Sequence, residues 1–301
     1  MIWVYLCLAA GLFSAAILPA YQESKRRAPV AAQPMAKLPQ GNTFYRWYGP
    51  ENGSVAVCVH GLSTPSIVYH ELAQHLALMG YRVLVYDLFG RGASATVRGR
   101  QTPAFFAKQF NNLLDDQGIK DDITLIGYSM GGSIAAHVAA ENPDRFRELI
   151  LLAPAGMGEE LGKMARWAAK WPVIGDWAFF LGYPKHMRAG LEKDAGIGAK
   201  APSILTQQFA ELDRRGFVGS VLSSLRWTLR QTQEEAHRKM AQSDLPVTAI
   251  WGQADTVIPL RALGTLTQWN RHVQQVVIDG AGHGLPHTHA AEVTQALNDG
   301  C

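Results

Sequence analysis

Cysteine is scarce in this 301-residue chain: there are three, Cys7, Cys58 and Cys301, far apart and odd in number. Neither a disulfide framework nor a zinc-ligand spacing follows from them. Net charge is also small, +3 at pH 7 with histidine neutral. Lys25, Arg26 and Arg27 against Glu23 place +2 of it in residues 1–27, which leaves +1 for the rest. A charge that weak gives no electrostatic case for nucleic acid as a partner. No dinucleotide-binding fingerprint and no P-loop occurs, so no nucleotide cofactor is expected. What the chain has is apolar mass: 48% of residues are hydrophobic and 18% charged. That is ample for a large core, and suits one α/β domain with an insertion or two small domains.

Charge is wholly absent from Ile2 to Ala20, after which Glu23, Lys25, Arg26 and Arg27 follow. As a helix this stretch would span roughly 28 Å, close to the hydrocarbon thickness of a bilayer. Residues 1–24 are therefore expected to be a single-pass transmembrane anchor, with a cleaved signal peptide ending near Leu18-Pro19-Ala20 as the alternative. No basic residue precedes the apolar run, which counts against a signal peptide. The basic cluster after it places the following domain in the cytoplasm by the positive-inside rule. Cleavage would make the protein secreted or periplasmic. Residues 25–42, with Pro29, Pro34 and Pro39, read as a linker.

From there short β-rich runs alternate with helical patterns. Phe44–Tyr48, Ser54–His60, Arg82–Asp87, Ile123–Ile126, Leu149–Ala153, Pro246–Gly252 and Val273–Ile278 read as strands; residues 67–79, 103–117 and 287–298 read as helices. This alternation implies a mostly parallel sheet flanked by helices, with functional groups gathered at the strand C-termini. His60, Asp87, Ser129, Asp255 and His283 all follow such runs. Residues 156–242 break the pattern. They hold no convincing strand and carry Trp167, Trp171, Trp177, Phe179, Phe180 and Trp227 at helical spacing. They are expected to form a helical cap over the strand ends, its aromatics partly lining an apolar pocket. Residues 43–155 and 243–301 then make up the core.

The most informative stretch is Gly127-Tyr128-Ser129-Met130-Gly131-Gly132, between an apolar strand and a small-residue helix. A serine on a sharp strand-to-helix turn, with glycine two positions either side, is the nucleophile-elbow pattern G-x-S-x-G. Side chains at Gly127 or Gly131 would collide as strand and helix crowd together. The helix N-terminus behind Ser129 offers N–H groups to developing negative charge.

Taken with His60-Gly61, Asp87-Leu88-Phe89-Gly90-Arg91-Gly92-Ala93-Ser94, Trp251-Gly252-Gln253-Ala254-Asp255 and Gly282-His283, the chain resembles an α/β-hydrolase of the serine esterase and lipase type over residues 43–299. The order Ser129, Asp255, His283 matches that family's order of nucleophile, acid and base. The resemblance implies a Ser129-Asp255-His283 triad and an oxyanion hole from the backbone N–H groups of Leu62 and Met130. His283 is the natural base near neutral pH, and Asp255 would fix its tautomer. Glu159 or Glu160 could supply the acid instead, while Asp279 reads as structural. His60, Asp87 and Arg91 are expected to organise loops.

The spacing His283-x3-His287-x-His289 also suggests a metal cluster, but it lacks a carboxylate or cysteine partner set, and no metal is expected. The implied activity is hydrolysis of carboxylic esters, with small lipophilic acyl esters as substrate and the membrane as partner through the N-terminal helix. A C–C bond hydrolase for ring-cleavage products could use the same triad, and a non-catalytic membrane-anchored binding module is the reading from another class. Epoxide hydrolases and haloalkane dehalogenases of the family carry aspartate where Ser129 stands.

Overall fold

The computed structural model describes residues 2, 5, 17–28, 32–159, 162–196 and 202–299. Its strands are β1 (Met35–Leu38), β2 (Gly41–Tyr48), β3 (Ser54–Val59), β4 (Tyr81–Tyr86), β5 (Ile123–Tyr128), β6 (Phe146–Leu152), β7 (Val247–Gly252) and β8 (Gln274–Ile278). They form one sheet in the order β1-β2-β4-β3-β5-β6-β7-β8. The β1–β2 and β2–β4 pairs are antiparallel, and every other pair is parallel. Helices α1 (His70–Leu78), α2 (Pro103–Asp116) and α3 (Met130–Glu141) connect the first half. Then come α4 (Lys163–Lys170), α5 (Ile174–Gly196), α6 (Pro202–Leu212), α7 (Phe217–Trp227) and α8 (Glu234–Met240), and finally α9 (Arg261–Trp269), α10 (Leu285–Thr288) and α11 (Ala290–Asp299).

The apolar runs explain the layering. All six residues of β5 are buried, as a parallel strand covered on both faces requires. Leu125 belongs to the core on one face of the sheet and Ile126 to that on the other. Helix α3 is buried nearly throughout because its alanines and glycines let it press onto β5. Thr102 caps α2 by accepting from the Phe105 N–H at 3.1 Å, and Pro103 occupies the first helical position. The strands therefore end on a common edge, and the loops after β3, β4, β5, β7 and β8 meet there.

One N-terminal expectation changes, and another falls mostly outside the described residues. The transmembrane helix expected over Ile2–Ala20 is not found: no helix among the described residues is long and apolar enough to cross a membrane. Residues 3–4 and 6–16, most of that span, lie outside the described residues. The described helical residues 17–25 instead run into the charged end of the segment, at Glu23 and Lys25. The expected linker, residues 25–42, carries β1. Pro34 and Pro39 bracket a strand whose Ala36 and Leu38 are buried against β2. Prolines at the ends of a short edge strand remove no ladder hydrogen bond. The segment before it is also bound. Arg27 N–H donates to Asp213 O at 2.8 Å and Arg215 N–H to Arg27 O at 2.8 Å, an isolated bridge onto the α6–α7 turn.

The span read as a cap holds α4 to α8, with no strand among its described residues beyond the Arg27–Arg214 bridge. Its core is Phe179, Phe217, Val218, Val221, Leu222 and neighbours, and Leu62 from the β3 loop packs against it. The aromatics do not act as one group. Phe179 is buried and stacked on Tyr183 at 4.6 Å, whereas Trp167, Trp171 and Trp177 face outward. Helical periodicity does not reveal which face of a cap helix is covered by its neighbours.

Candidate active site

Ser129 stands between β5 and α3 with φ +54° and ψ −121°. That backbone geometry is strained for any residue with a Cβ and costs about 1–3 kcal/mol. Backbone bonds hold it there. Ser129 N–H donates to Leu152 O at 3.0 Å, and Ser129 O accepts from Gly132 N–H and Ala155 N–H, each at 2.9 Å. The glycines are required for the reason expected. A Cβ on Gly127 would lie 2.6 Å from Gly131 O, and one on Gly131 would lie 1.9 Å from Val59 O.

The structure brings Ser129, His283 and Asp255 into one chain of hydrogen bonds. His283 Nε2 is 2.9 Å from Ser129 Oγ, and His283 Nδ1 is 2.7 Å from Asp255 Oδ2. A carboxylate only accepts, so Nδ1 carries the proton and Nε2 is left to accept from the serine hydroxyl. The Asp255 side chain is 1% exposed and that of His283 is 21% exposed. Asp255 Oδ1 accepts from Val257 N–H at 2.7 Å and Ile258 N–H at 2.9 Å, which fixes the carboxylate before it meets the imidazole. Tyr128 lies against the His283 ring, centroids 5.2 Å apart. Such an arrangement can withdraw a proton from the hydroxyl as its oxygen attacks, and return it to a leaving group.

The other acid candidates are engaged elsewhere or lie outside the description. The Glu159 carboxylate accepts from Gly156 N–H and Met157 N–H and closes its own turn. Glu160 lies outside the described residues. Asp279 is exposed beside the end of β8. His287 is pulled down to about 4 by burial and by the neighbouring His283 and His289. Among the described residues no group of three or more His, Cys, Asp or Glu is placed to hold a metal.

Leu62 and Met130 flank the serine. Met130 opens α3 directly after it, and a Cβ on Gly61 would lie 3.3 Å from Ser129 Cβ, so the His60-Gly61-Leu62 loop runs beside the hydroxyl. Neither the Leu62 nor the Met130 N–H donates to a partner among the described residues. His60 orders this loop. It is fully buried, donates from Nδ1 to Gly61 O at 2.8 Å, and accepts at Nε2 from Leu88 N–H at 2.8 Å. Burial pulls it down to about 3, so it stays neutral.

Asp87 and Arg91 brace the same region. Asp87 accepts from Ser66 N–H and Oγ–H and from Ala93 N–H at 2.6–2.9 Å. Arg91 is fully buried. It donates from Nε to Leu62 O at 3.0 Å and from its terminal nitrogens to Gln101 Oε1 at 2.6 Å and Ser224 Oγ at 2.8 Å. It thus ties the loop beside Ser129 to helix α7 of the cap. Two participants were not foreseen, Glu211 and Arg214 of the cap. Glu211 accepts from Gly92 N–H at 3.1 Å, and Arg214 donates to Gly92 O at 2.7 Å. Burial raises the Glu211 carboxyl to about 7 against the pull of Arg214. A cavity of about 370 Å³ lies behind this cluster, lined by Phe44, Arg46, Asp87, Glu211 and Arg214 among others. Ser129 and His283 are not among the residues that line it.

Known proteins show the same frame. The chain is 26% identical over 270 residues to the dihydrolipoyllysine-residue acetyltransferase component of an acetoin cleaving system from Pseudomonas putida, covering 87% of this chain and 67% of that protein. It is 33% identical over 108 residues to lipase LipV of Mycobacterium tuberculosis, a match spanning 36% of this chain and 40% of LipV. A thermophilic esterase from Thermogutta terrifontis superposes with a TM-score of 0.72 at 21% identity, over 89% of this chain and 97% of that one. The family model for the alpha/beta hydrolase fold matches residues 56–290, from β3 through the cap to α11, and the chain belongs to that family.

Proposed function

We propose that the protein is a serine hydrolase that cleaves carboxylic esters, with lipophilic acyl esters as substrates. The observation that carries this reading is the continuous Ser129–His283–Asp255 hydrogen-bond chain at 2.9 and 2.7 Å. Ser129 Oγ attacks the ester carbonyl carbon while His283 Nε2 takes the hydroxyl proton. The oxyanion forms within reach of the Leu62 and Met130 N–H groups, each such donor being worth about 3–4 kcal/mol in the transition state. Collapse expels the alcohol with the proton from Nε2 and leaves the acyl group on Ser129. Water, activated by the same imidazole, releases the acid and restores the serine. Leu62 joins this site to the apolar core of the cap, which supports an apolar acyl group. The lipase name of LipV and the esterase name of the Thermogutta protein support the same reaction class.

The test is Ser129→Ala. Turnover of p-nitrophenyl esters should fall by at least about 10⁴-fold, and fluorophosphonate labelling should vanish. Full activity in that variant would refute the mechanism. A chain-length series of these esters, run beside a ring-cleavage dienone, separates ester from C–C bond hydrolysis. The uncharged run Ile2–Ala20 and the cations after it support membrane attachment with the hydrolase on the cytoplasmic side. Release of the intact chain from membranes by alkaline carbonate would overturn that attachment.

A further inference from the structure

His283 stands on the loop between β8 and α10, with glycine on either side of it. A Cβ on Gly282 would meet nothing within 4 Å, so the loop is not braced by packing there. Its backbone is tied at two points. Ala254 N–H donates to Ala281 O at 2.8 Å, and Leu285 N–H donates to His283 O at 3.0 Å. The imidazole is held by Asp255 at Nδ1 and by Ser129 at Nε2. Those two bonds fix the line from carboxylate to hydroxyl. They do not resist rocking of the ring about that line.

Tyr128 supplies the missing support. Strand alternation puts it on the same sheet face as Ile126, in the apolar cluster that also holds Ala281 and Leu285. Its buried ring lies against the imidazole, with centroids 5.2 Å apart and planes 38° apart. The edge of the same ring meets the loop after β3. A Cβ on Gly61 would lie 3.4 Å from Tyr128 Cε1 and 3.5 Å from Cδ1. One side chain thus touches both the base and the loop that carries the Leu62 N–H.

The ring also has an electrostatic consequence. His283 gains a positive charge as it takes the serine proton, and an aromatic face within about 6 Å attracts a cation. Asp255 from the β7 loop, Tyr128 from β5 and His287 from α10 face His283, with His289 beside His287. Burial and the nearby His283 and His289 pull His287 down to about 4. Burial and the Asp255 charge push the Tyr128 phenol well above its usual range. Both are neutral near pH 7, so neither adds a full charge at the base.

We propose that Tyr128 is a positioning residue for the base: its ring stops the imidazole rocking and stabilises the imidazolium, and its edge spaces the Gly61–Leu62 loop from His283. This rests on the serine-hydrolase reading above. The full-length protein is compared with Tyr128→Phe, Tyr128→Leu, and forms carrying 4-fluoro- or 3,4,5-trifluorophenylalanine at position 128. Fluorine keeps the ring shape and drains charge from its face. Hydrolysis of p-nitrophenyl butyrate is followed across pH, with the rate of Ser129 labelling by a fluorophosphonate alongside.

Tyr128→Leu should lower kcat about 10–50-fold with KM within about twofold. The acid limb of its kcat/KM profile should move about 0.5–1 unit to lower pH, because the imidazolium loses a partner. Tyr128→Phe should stay within about twofold of the wild type at every pH. In the fluorinated forms the acid limb should move down stepwise with fluorine number.

An unchanged kcat in Tyr128→Leu would overturn the proposal. So would a lowered kcat with the acid limb unmoved, which would make the ring packing only. A Tyr128→Phe variant as impaired as Tyr128→Leu would assign the effect to the hydroxyl and overturn it as well. Should Tyr128→Leu fail to fold, the fluorinated forms decide, and an acid limb indifferent to fluorine refutes the role. Labelling separates this role from the ester reading. A wild type that is labelled at Ser129 but turns over no ester sinks the ester reading alone, and the labelling rates then carry the same comparison. Absence of labelling in the wild type overturns both.

Discussion

Between β3, β5 and β6 the buried side chains are Val57, Leu125, Ile126, Leu149, Ile150 and Leu151. Where the loops after β3 and β4 meet the cap, they are Asp87, Arg91, Gln101, Glu211, Arg214 and Ser224. The first region holds Ser129 by backbone geometry and close packing, which act over a few ångströms and tolerate change elsewhere. The second holds the Leu62 loop by a buried polar network, in which removing one member leaves the others desolvated and unpaired. Function and stability should therefore separate in the sheet region and move together at the cap boundary.

The largest expected effect tests the sheet side. Asp255→Asn keeps the shape of the side chain and an acceptor for the Val257 and Ile258 N–H groups, but no longer favours the Nδ1–H tautomer of His283. Activity on a soluble ester should drop about 10⁴-fold with the thermal midpoint nearly unchanged. A large fall in the midpoint would show that this carboxylate also holds the fold, and the contrast between the regions would fail.

Next in size is Arg91→Lys at the boundary. Lysine keeps the charge but cannot reach Leu62 O, Gln101 and Ser224 together as the planar guanidinium does. Stability should fall by about 2–4 kcal/mol, and kcat by about 10–100-fold as the Leu62 N–H loses its position. KM for a short ester and the pH profile should stay as in the wild type, since Arg91 acts through Leu62 and touches no reacting atom. An unchanged kcat in a destabilised protein would confine Arg91 to a structural role.

How far each region could be read from sequence follows the same division. The elbow was legible because its glycines answer to local sterics: at Gly131 an added Cβ meets Val59 O at 1.9 Å. Asp255 and His283 were legible from their places after apolar strands. Strand β1 was not, because its flanking prolines look like a linker when β2 is not known to pair with it. Glu211 and Arg214 carry no local signal either. Glu211 lies in α6 and Arg214 in the turn after it, with no register to the sheet, and only the tertiary fold brings them to Gly92. The cap tryptophans suggested a pocket lining, yet Trp167 and Trp171 face outward, because a 3.6-residue period marks a face without saying what covers it.

The smallest effect on activity, and one of opposite sign on stability, is expected from Glu211→Gln. An unfolded chain releases the Glu211 proton near 4.5, whereas burial in the fold raises the group to about 7. Between those values the folded protein keeps a proton the unfolded chain has lost. Stability from this site is thus complete below about pH 4.5 and declines as pH rises through 7. Glutamine does not titrate and retains an acceptor for the Gly92 N–H. Urea unfolding of the two proteins should diverge with pH. They should be close near pH 5, and the variant should be more stable by up to roughly 3 kcal/mol at pH 8. Turnover of a short ester should be unchanged, because Gly92 remains held by Arg214. A variant less stable than the wild type at pH 8 would mean that attraction to Arg214 and Arg91 outweighs burial. The cap boundary would then be held by its charges and not in spite of them.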